Sequence, residues 1–458
     1  MGEAVGSDNI VSKLRRVDSV AIVGASPIEG KIGYELLRNI VKFGYEGDVY
    51  PVNPKYDEVL GFKCYRSPRN VPGKIDVAVV AIPALQVPDL IADLCRKDVG
   101  VSVIISSGFR EKGRGDLEEL LKVRAADCGM RIIGPNSAGI TSSPAKLHAS
   151  IEVLPTPGRV AVISHSGAVG GVAMYELQKL GSGVSYFVSI GNGLDVGIEE
   201  VVEGLVEDTY TDATVLYVEW VKDGKKFMKS LRDLSKHKPV AVVKGGWGTV
   251  SSSAVLSHTG GLAVSYEVFK TAVRQSGAVV EEDIEEAVSI VEVLRRIRTR
   301  EGRLRRVLLI TNSGGYGILV ASYLERAGVE LPQIDIELRK QIEEAVGRDF
   351  SGSNPLDFGG DSKSADLVKV LQTDNLREHY DVVVVAYVPT SAETPRDICE
   401  NFKKSSEKVL TMYFTAGGGA NWITRCLSET KLAVPRASLI SKIFSNLRNA
   451  GVGPSSRE

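Results

Sequence analysis

The chain has 458 residues, long for one domain and comfortable for about three. Hydrophobic residues make up 43% and charged residues 25%, the mix of an ordinary globular protein. With 56 basic against 57 acidic side chains the net charge is −1, which excludes a whole-chain electrostatic footprint for nucleic acid or an anionic membrane.

Taken in chain order, short apolar strands alternate with amphipathic helices. The first third carries "SVAIVG" (19–24), "GDVYPVN" (47–53), "DVAVVAIP" (76–83), "VSVIISS" (101–107) and "RIIGPN" (131–136), with "GYELLRNIVKFG" and "DLEELLKVRAADCG" as helices between. Near-continuous Val/Ile runs are strands buried on both faces, hence a parallel sheet under helices. The segment "SSPAKLHASIEVLPTPGR" (142–159) has three prolines and reads as a linker. The rhythm restarts with "RVAVIS" (159–164), "VSYFVSIGNG" (184–193), "ATVLYVEW" (213–220), "PVAVVKGG" (239–246) and "GAVVEE" (277–282). The basic stretch "RRIRTREGRLRR" (295–306) reads as a solvated linker. A third run holds "VLLITNSGG" (307–315), "DVVVVAYVP" (381–389) and "KVLTMYFTAGGG" (408–419).

This pattern predicts an α/β chain of three consecutive doubly wound parallel-sheet domains, over residues 1–145, 155–297 and 304–458. In such sheets ligands bind beyond the carboxyl ends of the strands, where most of the polar and glycine-rich stretches lie. No apolar run reaches the roughly 18–20 residues of a membrane helix. The opening "MGEAVGSDNIVSKLRR" lacks the apolar core of a signal peptide. Cys64, Cys95, Cys128, Cys399 and Cys426 form no CxxC pair, so reduced thiols in a cytoplasmic protein are expected.

In "VAIVGASPIEGKIGYELLRNI" a strand turns into a helix through Gly24, Gly30 and Gly33, and the helix N-terminus favours a phosphate. The spacing departs from GxGxxG, and "VNPKY" (52–56) offers Asn53 and Lys55 where an NAD site has a ribose-binding acid. "AIPAL" (81–85) and "SSGFRE" (106–111) end the next two strands. Together these loops point to a nucleotide with several phosphates other than NAD, and coenzyme A fits.

Two histidines sit in hydroxyl- and glycine-rich settings. His165 in "ISHSG" (163–167) follows a strand, and the Ser166 and Gly167 amides open the next helix as an anion cradle. His165 itself stands either as a cap of that turn or as a chemical group. His258 in "LSHTGG" (256–261) lies on a polar loop, neutral for much of its time near pH 7, so a ring nitrogen can act as a nucleophile for phosphate. Glu219, ending "VLYVEW", is the candidate carboxylate to orient it. His148, His237 and His379 read as structural.

The ordered motifs "VGASP…GKIG", "VNPKY", "GPNSAGI", "SHSGA", "SIGNGLD", "YVEW…KDGKKFM", "SHTGG" and "TNSGGYG…NPLDFGGD" resemble the α subunit of ADP-forming acyl-CoA synthetases, relatives of succinyl-CoA synthetase, over roughly residues 18–430. The resemblance implies a Rossmann-like CoA-binding domain followed by two flavodoxin-like domains. It also implies a reaction in which acyl-CoA and phosphate give acyl phosphate and CoA. The phosphoryl group then passes to a histidine and on to ADP in an ATP-grasp module. By that resemblance His258 carries the phosphate and Glu219 stabilises it. Gly24, Ala25, Ser26, Lys31, Asn53, Lys55, Ile82, Pro83, Ser107, Gly108, Phe109 and Asn136 hold CoA. Ser166, Gly167, Asn192 and Asp195 border the phosphate and acyl site.

Two positions depart from the family pattern: His165 stands where the family usually has Gln, and Trp220 replaces a typical glycine after the glutamate. No ATP-grasp segment is found, so the expectation is an α subunit with a separate ATP-grasp β subunit in an α₂β₂ assembly. That partner would hold ADP or ATP with Mg²⁺, and no metal-ligand cluster stands out in this chain. The substrates would be small carboxylic acids and their acyl-CoA esters. The reading weighed against this one is a non-catalytic module that senses CoA or acyl-CoA.

Overall fold

The structure is a computed structural model that describes residues 9–248, 250–251, 265–297, 304–350 and 353–449. It divides into two compact units, Met1–Gln178 with Gly183–Val288, and Lys179–Ser182 with Ser289–Glu458.

The first unit starts with α1 (Ile10–Arg15) and contains two larger sheets. The first sheet holds β1 (Ser19–Val23), β2 (Asp48–Val52), β5 (Val77–Val80), β6 (Val101–Ile104) and β7 (Arg131–Ile133), all parallel, in the order β2-β1-β5-β6-β7. A small antiparallel pair, β3 (Glu58–Val59) and β4 (Phe62–Lys63), lies outside it. Period-two alternation sends neighbouring residues to opposite faces. Val20, Ile22, Val77 and Val79 join one apolar cluster, while Ala21, Val23, Ala78 and Val80 join another. Both faces are covered, which is why these strands read as continuous apolar runs. Each such Val or Ile contributes about 1.5–3 kcal/mol on burial. Crossover helices α2 (Ile32–Phe43), α3 (Val87–Arg96) and α4 (Gly115–Ala126) complete this layer.

The second sheet runs in the order β14-β13-β12-β10-β11-β8-β9. Its strands are β8 (Gly139–Ser142), β9 (Leu147–Ser150), β10 (Pro157–Ser164), β11 (Val184–Ser189), β12 (Ala213–Val218), β13 (Val240–Lys244) and β14 (Val279–Glu281). Here the sequence reading needs correction. The stretch read as a linker over 142–159 includes part of β8, all of β9 and the start of β10, and β8 and β9 form an antiparallel hairpin against β11. Pro144 sits in the turn between β8 and β9, so the prolines bound strands instead of abolishing them. Leu147 and Ala149 point into the same core as Leu36, Leu37 and Ile40 of α2, and the Asn39 amide donates to Ser150 O at 2.9 Å. His148 is fully buried in β9, its Nδ1 2.8 Å from Thr141 Oγ1, and burial holds it down at about 4. It is structural, as expected, though in a strand instead of a linker.

The second unit carries β15 (Val307–Thr311), β16 (Leu356–Asp357), β17 (Val382–Tyr387), β18 (Leu410–Thr415) and β19 (Leu432–Val434), parallel, in the order β16-β15-β17-β18-β19. Leu308, Ile310, Val383 and Val385 fill its core with Leu367, Ile398 and Phe402 from the helices.

The expectation of reduced thiols is also corrected. Cys95 is bonded to Cys128, and Cys399 to Cys426, while Cys64 is buried and free. Neighbouring elements on one sheet face bring these Cα atoms to 5.6 and 6.3 Å, within bonding reach. Spacings of 33 and 27 residues along the chain do not reveal that proximity.

Candidate functional site

The site forms where strand ends from both sheets of the first unit meet. β10 stops at Ser164, and the chain turns through His165 and Ser166 into α5 (Gly167–Lys179). Ser166 caps this helix: its hydroxyl accepts from the Val169 amide at 3.4 Å. Gly167 has to be glycine, because an added Cβ would lie 2.3 Å from the Ala138 methyl carbon. The Val169 amide is taken by Ser166, while Gly167 presents no side chain of its own at the start of the helix, a helix N-terminus of the kind that favours an anion.

β12 runs beside β10 and delivers Glu219 just past its end. The Tyr217 hydroxyl is pushed up to about 12, first by burial and then by the charge and hydrogen bond of Glu219. β13 ends at Lys244, which is buried and donates from Nζ to Glu219 O at 2.7 Å. Burial depresses the Lys244 ammonium below its ordinary value, and the Glu219 carboxylate opposes that shift. The sequence reading missed Tyr217 and Lys244. A lysine closing an apolar strand before Gly-Gly was the available signal.

A cavity of about 410 Å³ opens at this corner. The first sheet contributes Ser107 and Asn136, and the second contributes His165, Ser166, Gly167, Asn192 and Glu219. Ile32, Ile105 and Ile151 supply apolar wall. Six residues singled out from sequence are thus brought together: Ser107, Asn136, Ser166, Gly167, Asn192 and Glu219. Asn192 is clamped there. Its Nδ2 donates to Glu111 Oε2 and Glu118 Oε1, both at 2.7 Å, and its Oδ1 accepts from Asn136 at 3.3 Å. Glu111 also accepts from the Phe109 amide at 3.1 Å. Burial would raise the Glu111 carboxyl, but hydrogen bonds from Asn192, Gly108 and Phe109 outweigh it and hold the group below its usual range. Glu111 and Glu118 were not foreseen, since nothing local marks a carboxylate as the clamp of an asparagine about eighty residues away.

Other residues expected at the site do not line this cavity. Asp195 is taken up by Arg131, with bonds of 2.9 Å to Nε and 3.1 Å to Nη2, and Arg131 also pairs with Glu200 at 2.6 Å. Asp195 thus ties the two sheets together. Phe109 is fully buried in the first sheet's core. His258 and the "SHTGG" motif lie outside the described residues.

The remaining loop residues cluster at the carboxyl ends of β1, β2 and β5. Asn53 donates to Ala25 O at 2.8 Å and accepts from the Lys55 amide at 3.0 Å, tying two loops together. Ser26 caps its own turn by accepting from the Ile28 amide at 3.1 Å. Lys31 and Lys55 are exposed, and Ile82 and Pro83 follow β5. Gly33 packs so closely under the first loop that an added Cβ would sit 2.0 Å from Gly24 O. No side chain caps the first turn of α2, whose N-cap is Lys31. A tight glycine loop, a helix start without a side-chain cap and two exposed lysines suit the phosphates of CoA.

His165 is buried, its ring packed 5.3 Å from that of Trp220. Its Nδ1 lies 3.4 Å from Tyr217 O and 3.5 Å from the Glu219 amide. Burial first, opposed by the hydrogen bond to Tyr217 O and aided by the Lys244 cation, holds it down at about 4, so it is neutral at physiological pH. Trp220 also fills the space beside Gly193, where an added Cβ would meet its ring at 2.9 Å.

An α/β fold with a tight glycine loop at one sheet and a helix N-terminus beside a half-buried carboxylate at the other is the arrangement expected of an acyl-CoA ligase. Residues 18–143 match the CoA binding domain family, and residues 157–294 match the succinyl-CoA ligase like flavodoxin domain. The chain is 35% identical over 415 residues to subunit alpha of acetate–CoA ligase [ADP-forming] I of Pyrococcus furiosus, covering 87% of this chain and 88% of that one. It is 35% identical over 394 residues to acetate–CoA ligase [ADP-forming] I of Archaeoglobus fulgidus, covering 85% of this chain but 56% of that protein. Among solved structures, acetyl-coenzyme A synthetase 1 of Ca. Korarchaeum cryptofilum, in complex with phosphate and ADP, superposes with a TM-score of 0.86 at 30% identity, covering 96% of this chain and 97% of that one. The chain belongs to the family of ADP-forming acetate–CoA ligases and corresponds to their α subunit.

Proposed function

We propose that the chain is the α subunit of an ADP-forming acyl-CoA synthetase, converting acyl-CoA, ADP and phosphate to free acid, CoA and ATP, and the reverse. The observation that carries this reading is the shared cavity. It places Ser107 and Asn136, at the strand ends of the CoA-binding sheet, against the Ser166–Gly167 turn and Glu219. A thioester carbonyl reaching past the CoA loops would meet a phosphate held at the α5 N-terminus.

In the first step a phosphate oxygen attacks the thioester carbonyl, the C–S bond breaks, and the sulfur leaves as CoA thiolate. In the second step a nitrogen of His258 attacks phosphorus, and the P–O bond to the acyl group breaks to release the carboxylate. In the third step the phosphoryl group passes from His258 to ADP. Glu219 orients the imidazole and stabilises the cation that forms on it. The Ser166 and Gly167 amides balance the phosphate charge. CoA would be held by Gly24, Ala25, Ser26, Lys31, Asn53, Lys55, Ile82 and Pro83, with the Ser107–Gly108 loop. The apolar wall of Ile32, Ile105 and Ile151 suits a small acid with an apolar chain. ADP and its Mg²⁺ belong, in this reading, to a separate ATP-grasp β subunit in an α₂β₂ assembly.

The experiment is phosphate transfer from radiolabelled phosphate and acetyl-CoA in the presence of the partner subunit. Acid-labile, base-stable label is expected on wild type and absent from His258→Ala, with CoA binding intact. Label persisting on His258→Ala would sink the assignment of the carrier.

A further inference from the structure

The mechanism leaves the one histidine that lines the cavity, among the described residues, unused. His165 lines it, yet the reaction assigns the ring no role. Its hydrogen bonds show which nitrogen is occupied. Tyr217 O already accepts the backbone N–H of His165 at 3.2 Å, so that carbonyl has a donor without the ring. The Glu219 amide points at Nδ1, a long contact at 3.5 Å, and an amide can only donate. Nε2 makes no hydrogen bond among the described residues.

The second unit solves the same backbone problem in the same register. Asn312 follows β15 as His165 follows β10, and Val388 follows β17 as Glu219 follows β12. Asn312 Oδ1 accepts from the Val388 amide at 2.8 Å. At this position, then, the side chain serves as an acceptor for the amide beyond the neighbouring strand. An imidazole doing the same must accept on Nδ1 and carry its proton on Nε2.

Resting on the proposed function, we propose that His165 is a neutral hydrogen-bond donor to the phosphate or acyl phosphate in this cavity, with Nδ1 anchored on the Glu219 amide and Nε2–H serving the anion. Trp220 packs against the ring at 5.3 Å with a tilt of 52°. Burial and the Lys244 ammonium keep the ring neutral, against the hydrogen bond to Tyr217 O; the Glu219 carboxylate and the Tyr217 hydroxyl are the other titratable groups at this corner. A neutral donor binds an anion without moving a proton, so it holds phosphate without competing with His258 for it.

The test uses the whole chain, inorganic phosphate as probe, and wild type, His165→Gln and His165→Ala. Titration calorimetry measures phosphate and CoA binding, and nitrogen-15 NMR of labelled histidine reports the tautomer. The expected result is an Nε2–H ring whose signal shifts on adding phosphate. His165→Ala should lose about tenfold in phosphate affinity at unchanged CoA affinity, and His165→Gln, which keeps an N–H donor, should stay within about threefold of wild type. An Nδ1–H tautomer, or phosphate affinity in His165→Ala equal to wild type, overturns the proposal. CoA binding without phosphate binding in wild type also overturns it and leaves the CoA assignment standing. No binding of either ligand in wild type defeats the proposed function itself.

Discussion

Two corners of the chain, "ISHSGA" at 163–168 and "ITNSGG" at 310–315, share one construction. Each closes an apolar parallel strand and opens a helix of 13 residues, Gly167–Lys179 and Gly314–Arg326. In each the last hydroxyl of the strand folds back on the turn: Ser164 Oγ bonds Ser166 O at 2.5 Å, and Thr311 Oγ1 bonds Ser313 O at 3.2 Å. They differ at the next residue. Asn312 spends both ends of its amide on Val388, accepting from N and donating to O, each at 2.8 Å. His165 anchors through Nδ1, and among the described residues its Nε2 makes no hydrogen bond. The same corner thus serves as a closed clasp in one unit and as an open, partly unsatisfied wall of a cavity in the other. A side chain that satisfies its surroundings completely stabilises. One that stops short keeps a hydrogen-bonding atom for a ligand.

The comparison is sharpened most by Asn312→Ala. It leaves a half-buried N–H and C=O of Val388 without their partner together, so a loss of about 2 kcal/mol is expected in denaturant unfolding of the second unit, with CoA binding unaltered. A loss below about 1 kcal/mol would break the clasp reading.

The next effect is one of pH. The ordinary histidine value is about 6.5, and His165 sits at about 4 in the folded chain. The unfolded chain therefore binds more protons between those values. The contribution of neutral His165 is complete above pH 6.5 and disappears as pH falls through that window towards 4, amounting to about 3 kcal/mol by linkage. His148 is depressed in the same way and adds its own share, so the difference between wild type and His165→Gln isolates the site. Thermal melts from pH 7 to pH 4 should fall more steeply for wild type. Parallel curves would mean that the ring is not held neutral.

Glu219→Gln comes third. It keeps shape but removes the charge beside Tyr217, and phosphohistidine accumulation should drop by about 10–100-fold at constant CoA affinity. Equal losses in both would show a folding role. Smallest is the cap. Ser166→Ala removes an acceptor used by Val169 and should cost about 0.5–1 kcal/mol, whereas Ser313 makes no side-chain cap bond, so Ser313→Ala should shift unfolding by a few tenths at most. Matching losses would erase the distinction between the corners.

Much of this was written in local pattern. Continuous Val/Ile runs followed by polar turns were enough to locate β1, β5, β10, β12 and β15. Because ligands gather at the carboxyl ends of parallel strands, Ser107, Asn136, Ser166, Gly167 and Glu219 could be picked out before their distances were known. Only tertiary structure settled the rest. Asp195 looked like its neighbour Asn192, yet Arg131, more than sixty residues earlier, claims it. The prolines of 142–159 suggested a linker until the face of α2 supplied an apolar surface for Leu147 and Ala149. The cysteine pairs, the Glu111 and Glu118 clamp on Asn192, and the buried Lys244 all depend on partners distant in sequence. The pH behaviour of His165 is the plainest case. Motif and spacing placed it at a strand end, but whether it is charged depends on how completely the fold strips water from it and on which cation packs nearby.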